Sequence, residues 1–547
     1  MSRIILLITA GCFFSLCAMA QRDTTKQSIN ITSSFTPVLR NAVKINFSGS
    51  QLMADTSTSV RPYIIPAQNL FYAYQPIALK PLALQQDTNL YLGNRNYIKV
   101  GFGNYSTPYV KAGLGFGNGK TALLNLYGTY ISSKGKIKYQ DYTEFEGKAT
   151  GSYFAKKFEV YASGAVKQRN YFLYGYNHDS FNYKKSDVKQ HLQDITISAG
   201  IRNTNVTEYR INYNPNVLFN IFSNYKKLNE TTVIVNIPVE KKFGENFALK
   251  VEAKADFTNY YTTKDLLPTN YSFTNNVIQV SPSLVYSSPQ FSINAGLTPT
   301  WNNSKFVWLP NVYAEYQLQQ NVFMIQAGWI GRYIKNTYRN LSTLNPYLAP
   351  VTSQMNTKEV EFYGGIKGSL GKHFNFNAKA GLVTYNDLPF FINDTSALAG
   401  DDKSFVIANE SKVNNFRVHG DLSYINQDKF TVTAGVTFNG YTGMKNNARA
   451  WNTLPVEING SVRWWAFRQV MLKADFYMFG GGNYLEKGNK AVSFKPGSDL
   501  SAGAEFKINK QFSAWLDVNN IFNNKYERWH NYEVYGLNLL GGIRFDF

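Results

Sequence analysis

Few side chains in this 547-residue sequence are spaced for chemistry. Its five histidines, His178, His191, His373, His419 and His530, are the first candidates for a base or a metal ligand. None forms a His-x-x-x-His or similar pair, and most fall in stretches that read as turns or loops, so solvated imidazoles are expected. Asp401-Asp402 with Glu410 offers the hard oxygen ligands that calcium takes, but a solvated charge pair is the stronger expectation. Gly480-Gly481-Gly482 has neither the Lys-Ser/Thr nor the helix of a phosphate cradle and marks a flexible loop. No catalytic, cofactor or metal site is expected, and a hydrolase built on a histidine is set aside.

The chemistry must therefore lie in the elements themselves. The chain is 44% hydrophobic, 16% aromatic and only 17% charged, against roughly 25% charged in soluble domains. Such aromatic content excludes a disordered chain. After the first twenty residues no stretch approaches the ~20 apolar residues of a spanning helix. Basic residues outnumber acidic ones, 56 to 36, giving a formal charge of +20. Nucleic acid is not expected as a partner, because no recognition module is visible.

Arg3 followed by the apolar run from Ile4, ending in Ala18-Met19-Ala20 before Gln21, reads as a signal peptide cut after Ala20. Cys12 and Cys17 both lie inside it, so disulfides and thiolate sites are excluded from the mature chain. Residues 21–95 carry Pro37, Pro62, Pro66, Pro76 and Pro81 and read as an extended segment, periplasmic or lumenal.

From residue 96 onward the pattern has period two. Phe247, Leu249, Val251, Ala253, Ala255 and Phe257 alternate with Lys250, Glu252, Lys254 and Asp256. Short polar turns such as Gly244-Glu245-Asn246, Ser288-Pro289-Gln290 and Asn509-Lys510-Gln511 alternate with longer connections, notably around 336–357, 387–411 and 522–535. Short turns alternating with long loops are the grammar of outer-membrane barrels. The segments run to about ten residues, enough to cross the hydrocarbon when tilted. The fold class expected over 96–547 is all-β, a transmembrane antiparallel β-barrel of about 22 strands, bacterial outer-membrane type.

In such a wall Lys250, Glu252, Lys254, Asp256, Lys473, Asp475 and Arg544 are expected to face the lumen. Their basic members suggest a field that attracts anions. Trp464, Trp465, Trp515, Tyr130, Tyr260 and Tyr261 are expected in the aromatic girdles at the lipid boundary. Outer-membrane lipid and lipopolysaccharide are the expected surroundings.

Two stretches carry a resemblance to a known family. Asn340 to Leu348, followed by Glu359 to Gly368, resembles a long loop and strand of TonB-dependent receptors. The run Leu516 to Tyr526, then Gly536 and the closing strand to Phe547, is similar to that family's last hairpin. The resemblance covers 96–547 and implies recognition of Phe545 and Phe547 by the barrel-assembly machinery. It departs before residue 96, where 21–95 is too short for the family's plug domain. Ser28 to Thr32 is the nearest approach to an energy-coupling box, so coupling to TonB does not carry over. A 22-strand barrel must then be narrowed by its long loops, by residues 21–95, or by a lipoprotein or plug-like partner. The function expected is a receptor- or porin-like transport barrel in the bacterial outer membrane. The alternative is an outer-membrane anchor or assembly component docking a surface or periplasmic partner.

Overall fold

The computed structural model describes residues 96–547, apart from 206, 225–227, 264–268, 320–321, 372, 395–400 and 427–428. The cleavage residues Ala18, Ala20 and Gln21 and the segment 21–95 lie outside the described residues.

One antiparallel sheet of 23 strand segments makes the wall. Two segments, Ile211–Tyr213 and Asn216–Asn224, are halves of one strand, since both pair with Leu228–Phe243. Pro215 lies between them and has no amide to give the ladder. The wall therefore has 22 strands. Each pairs with its neighbour in sequence, and the first, Tyr97–Gly103, pairs with the last, Asn538–Asp546, from Tyr97 opposite Asp546 to Gly103 opposite Leu540. The ring is closed. Closure matters because hydrocarbon offers no partner to a free sheet edge.

The faces are inverted relative to a protein that folds around an oily core. In the first strand Ile98, Val100 and Phe102 point outward and are exposed, whereas Tyr97 and Lys99 are buried inside. In Phe247–Thr262 the outward set is Phe247, Leu249, Phe257 and Tyr261, and the inward set includes Asp256, Thr258 and Thr262. Phe362, Leu382 and Phe416 lie side by side across three strands, all outward, at 63%, 64% and 46% exposure. An apolar outside and polar inside is the arrangement that lipid selects.

Turns 118–121, 155–157, 244–246, 288–290 and 468–469 lie at the end where Asn96 and Phe547 meet, the Phe547 amide donating to the Asn96 carbonyl at 2.9 Å. Gly244 makes one of these turns with a φ of +63°, a conformation that costs a residue with Cβ. The connections 335–356, 387–412, 443–455, 481–496 and 520–537 all lie at the other end.

Strand parity corrects part of the expected girdle. Adjacent residues point to opposite faces, so Tyr260-Tyr261 and Trp464-Trp465 can each place only one ring outward. Tyr261, Trp464 and Tyr130 are exposed at 40%, 46% and 38%, whereas Tyr260 is fully buried within the barrel. Trp465 shares a face with Arg463 and lies under the Lys507 ammonium at 4.3 Å. Trp515 also faces inward. It fills the space left by Gly101, where a Cβ would come within 2.4 Å of its ring, and Lys99 sits 4.1 Å above it. Outward aromatics that periodicity alone did not single out are Trp301, Trp308 and Trp329.

Candidate functional site

The largest apolar cluster among the described residues joins the long connections to one end of the wall, where Phe222, Leu228 and Tyr260 belong to it. It gathers Tyr171, Tyr174, Tyr347, Phe391, Phe405, Trp529, Tyr532 and Tyr535, nearly all from the long connections. These connections are folded together into a lid.

Its centre is built by the connection 335–356. Thr337 caps the short helix Tyr338–Leu344 by accepting from the Asn340 amide at 3.2 Å. The carboxylate of Glu230, from the strand Leu228–Phe243 five strands away around the ring, accepts from the Tyr338 and Arg339 amides at 2.7 and 3.1 Å, an acidic group where the helix N-terminus favours one. After Asn345-Pro346 the chain delivers Tyr347 into the cluster. Its ring stacks on Tyr532 with centroids 3.3 Å apart, and Tyr174 meets Tyr532 edge-on at 4.8 Å.

These three tyrosines come from connections that leave the ring eight, eight and six strands apart. Loops rooted so far apart around a closed wall meet only across its opening. Each aromatic pair adds about 0.5–1.5 kcal/mol to the burial of its rings.

Main-chain acceptors complete the joint. The Tyr171 hydroxyl donates to Pro346, Tyr174 to Glu533 at 2.8 Å, Tyr532 to Lys403 and Tyr535 to Gln140, in every case to the carbonyl oxygen. The Phe405 amide donates to the Tyr347 carbonyl at 2.9 Å, and the Ala349 amide to the Phe405 carbonyl at 2.8 Å. Burial pushes the Tyr174 hydroxyl up to about 12, despite hydrogen bonds with Tyr347 and Gln140 that lower it, so it remains a donor at neutral pH. Asn452 and Arg528 link the hairpin 388–410 to 443–455 and 520–537, the Asn452 side chain donating to Phe391 at 2.6 Å and Arg528 to Asn452 at 3.0 Å.

The acidic residues singled out from the sequence prove to be fasteners rather than a solvated pair. Asp401 is held by Lys403 and the Tyr183 hydroxyl, and Asp402 pairs with Lys487 at 3.2 Å. Burial works to raise the Asp401 carboxyl, but these hydrogen bonds outweigh it and hold it below the ordinary range. Glu410 is fully buried under the amides of Lys445, Asn446 and Asn447. Among the described residues no group of three or more His, Cys, Asp or Glu side chains is placed to hold a metal ion. His178 and His530 belong to the lid, His191 contacts Asn170, His373 contacts the Ile425 carbonyl, and His419 contacts Asp421.

A pocket of about 580 Å³ opens in the lid, walled by five connections that contribute Ile137, Tyr176, Asp401, Lys487 and Glu533 among others; its volume is within the ordinary range for small-molecule sites.

Charged side chains of the wall strands pair with one another. Lys250 pairs with Glu240 at 3.4 Å, Asp256 with Lys335, Lys473 with Asp517 at 2.9 Å, Asp475 with Arg463 at 2.9 Å, and Arg544 with Asp546 at 2.7 Å. Glu252 and Lys254 share the face of Lys250. Cations here are largely matched by carboxylates.

Solved structures share this architecture. The chain matches the FrpB iron transporter from Neisseria meningitidis with a TM-score of 0.63 at 12% identity, over 83% of this chain and 82% of that one. It matches the ferripyoverdine receptor of the outer membrane of Pseudomonas aeruginosa with a TM-score of 0.61 at 10% identity, over 83% and 72%. The copper transporter OprC gives 0.60 at 12%, over 83% of each chain. The likeness is one of fold. It is a fold shared with an iron transporter, a copper transporter and an outer-membrane ferripyoverdine receptor. No family model matches the sequence, and no curated protein does.

Proposed function

We propose that the chain is an uptake receptor of the bacterial outer membrane that takes its solute at the lid rather than admitting it through an open pore. The observation that carries this reading is the meeting of Tyr174, Tyr347 and Tyr532 across the mouth. An empty 22-strand cylinder would be wider than the 16–18-stranded porins that conduct water, and an interlocked lid is what a receptor requires. The solved barrels of the same fold are named as transporters and receptors, which supports the reading over a passive anchor.

In this reading the lid faces outward and the short turns face the periplasm. Lys156, Lys157, Lys429, Arg468 and Lys510 then ring the inner leaflet, where anionic headgroups receive them. Lipopolysaccharide meets the opposite rim, beside Tyr130, Tyr261, Trp301 and Trp308. Export through the signal peptide ending at Ala20, assembly directed by Phe545 and Phe547, and a lumenal or periplasmic role for 21–95 belong to the same proposal.

Planar bilayers test it. The reconstituted chain should pass little current, and replacing residues 338–351 by a short glycine link should open a steady conductance. The recordings are made with and without residues 21–95, so that a second obstruction is not mistaken for a failed lid. Porin-like current through the unaltered chain sinks the proposal.

A further inference from the structure

Resting on the uptake reading, we propose that the lid pocket selects organic cations, solutes bearing ammonium or guanidinium groups. The chain as a whole carries +20, yet Asp401, Asp402, Glu486, Glu527 and Glu533 line this pocket, and the lysines paired with them, Lys403 with Asp401, Lys487 with Asp402 and Lys490 with Glu486, are three against these five carboxylates. That local reversal of sign favours approach of a cation and opposes an anion.

Partly buried acceptors supply an independent reason. Tyr176 and Asn393 line the pocket at 5% and 3% exposure, and among the described residues neither the Tyr176 hydroxyl nor Asn393 Oδ1 has a hydrogen-bond partner. Asp402 Oδ1 is likewise without one. Buried polar atoms left unpaired are costly, and two of these three can only accept when Asp402 is ionised. A donor-rich cation would satisfy them. The Tyr176 ring, packed against His178 at 4.2 Å, adds an aromatic wall of the kind cations seek. The carboxylates are spread over several loops and do not converge as ligands of one metal ion, which suits an extended organic cation.

Calorimetry on the detergent-solubilised full chain tests this, with trilysine and spermidine as cationic probes and triglutamate, citrate and calcium as controls. Both cationic probes should bind saturably and more weakly as salt rises. Asp402→Asn and Glu533→Gln should each weaken trilysine binding about tenfold, whereas Lys487→Gln should strengthen it. Unchanged heat-modifiable migration on gels establishes that each variant is folded. Failure of both cations to bind, equal binding by the Asp402→Asn/Glu533→Gln double variant, or tighter binding of triglutamate, citrate or calcium overturns the proposal. The bilayer recordings decide the uptake reading separately: a lid whose removal opens a pore, on a chain that ignores both cations, refutes only the cation selectivity.

Discussion

Tyr347 and Tyr532 lie face to face, their planes 16° apart, although 185 positions of sequence separate them and their loops leave the wall eight strands apart. Both are fully buried. The stack is therefore a joint between distant sectors of the ring, and it is the place to unlock the lid.

The Tyr347→Ala/Tyr532→Ala double variant should free the lid while leaving the wall intact. Truncating a buried aromatic costs about 3–5 kcal/mol in a packed core, and here the loss falls on the loops. Hydrogen exchange should rise at 338–351 and 526–535 and stay unchanged in Phe247–Thr262. Protection persisting in both loops would refute the joint.

Glu410 makes a second fastening acid-sensitive. Burial alone would raise its carboxyl, but the amides of Lys445 and Asn446 and the Asn447 side chain hold it below the ordinary carboxylate range. Its native value is thus lower than its unfolded one. The stability it adds is complete above the unfolded value, about 4.3, and is lost as pH falls through the native one. Spin labels at Ala408→Cys and Met444→Cys should keep their separation at neutral pH and move apart in strong acid. Glu410→Gln should loosen this contact by about 1–3 kcal/mol at pH 7, and a label distance indifferent to both changes contradicts the assignment.

Leu382 tests the lipid face. Leu382→Arg puts a charge among Phe362 and Phe416 and should destabilise the folded barrel in bilayers by up to about 2–4 kcal/mol, depending on depth. Lys379→Gln, on the opposite face of the same strand, should cost much less. Urea titrations in liposomes compare the two. Equal costs would remove the distinction between an oily outside and a wet inside.

Phe547 is expected to act in assembly more than in the finished barrel. Its ring stacks on Phe545 with centroids 5.4 Å apart, and Phe545 packs on Phe512 at 4.9 Å. Phe547→Ser keeps the backbone bond to Asn96 and should refold in detergent as the parent does. In cells it should accumulate less folded barrel. A variant that assembles at the parental rate would leave the terminal ring as a lipid contact alone.

The wall was legible because alternation is a local signal. Phe247 to Asp256 declares two faces within ten residues, and the ring follows from repeating that pattern. Which face a single aromatic takes was harder to read where two stand together, as at Tyr260-Tyr261 and Trp464-Trp465. Trp515 misled for another reason: its pocket is made by Gly101, at the far end of the chain and adjacent only after the ring closes. The lid was less legible still. Its connections have no period, and the partners of Tyr347 and Asp401 come from loops that the sequence does not mark as neighbours. The stretch Asn340–Leu348 stood out by resemblance, yet its place at the centre of the mouth is a property of the assembled loops.

The tyrosine hydroxyls of the lid grip carbonyl oxygens of Pro346, Lys403, Gln140 and Glu533. Every amino acid carries such an oxygen, so the grip asks little of the side chains it holds. Side chains next to these anchors can change while the latch beneath keeps its form. A gate fastened through the main chain can renew its painted surface without rehanging the door.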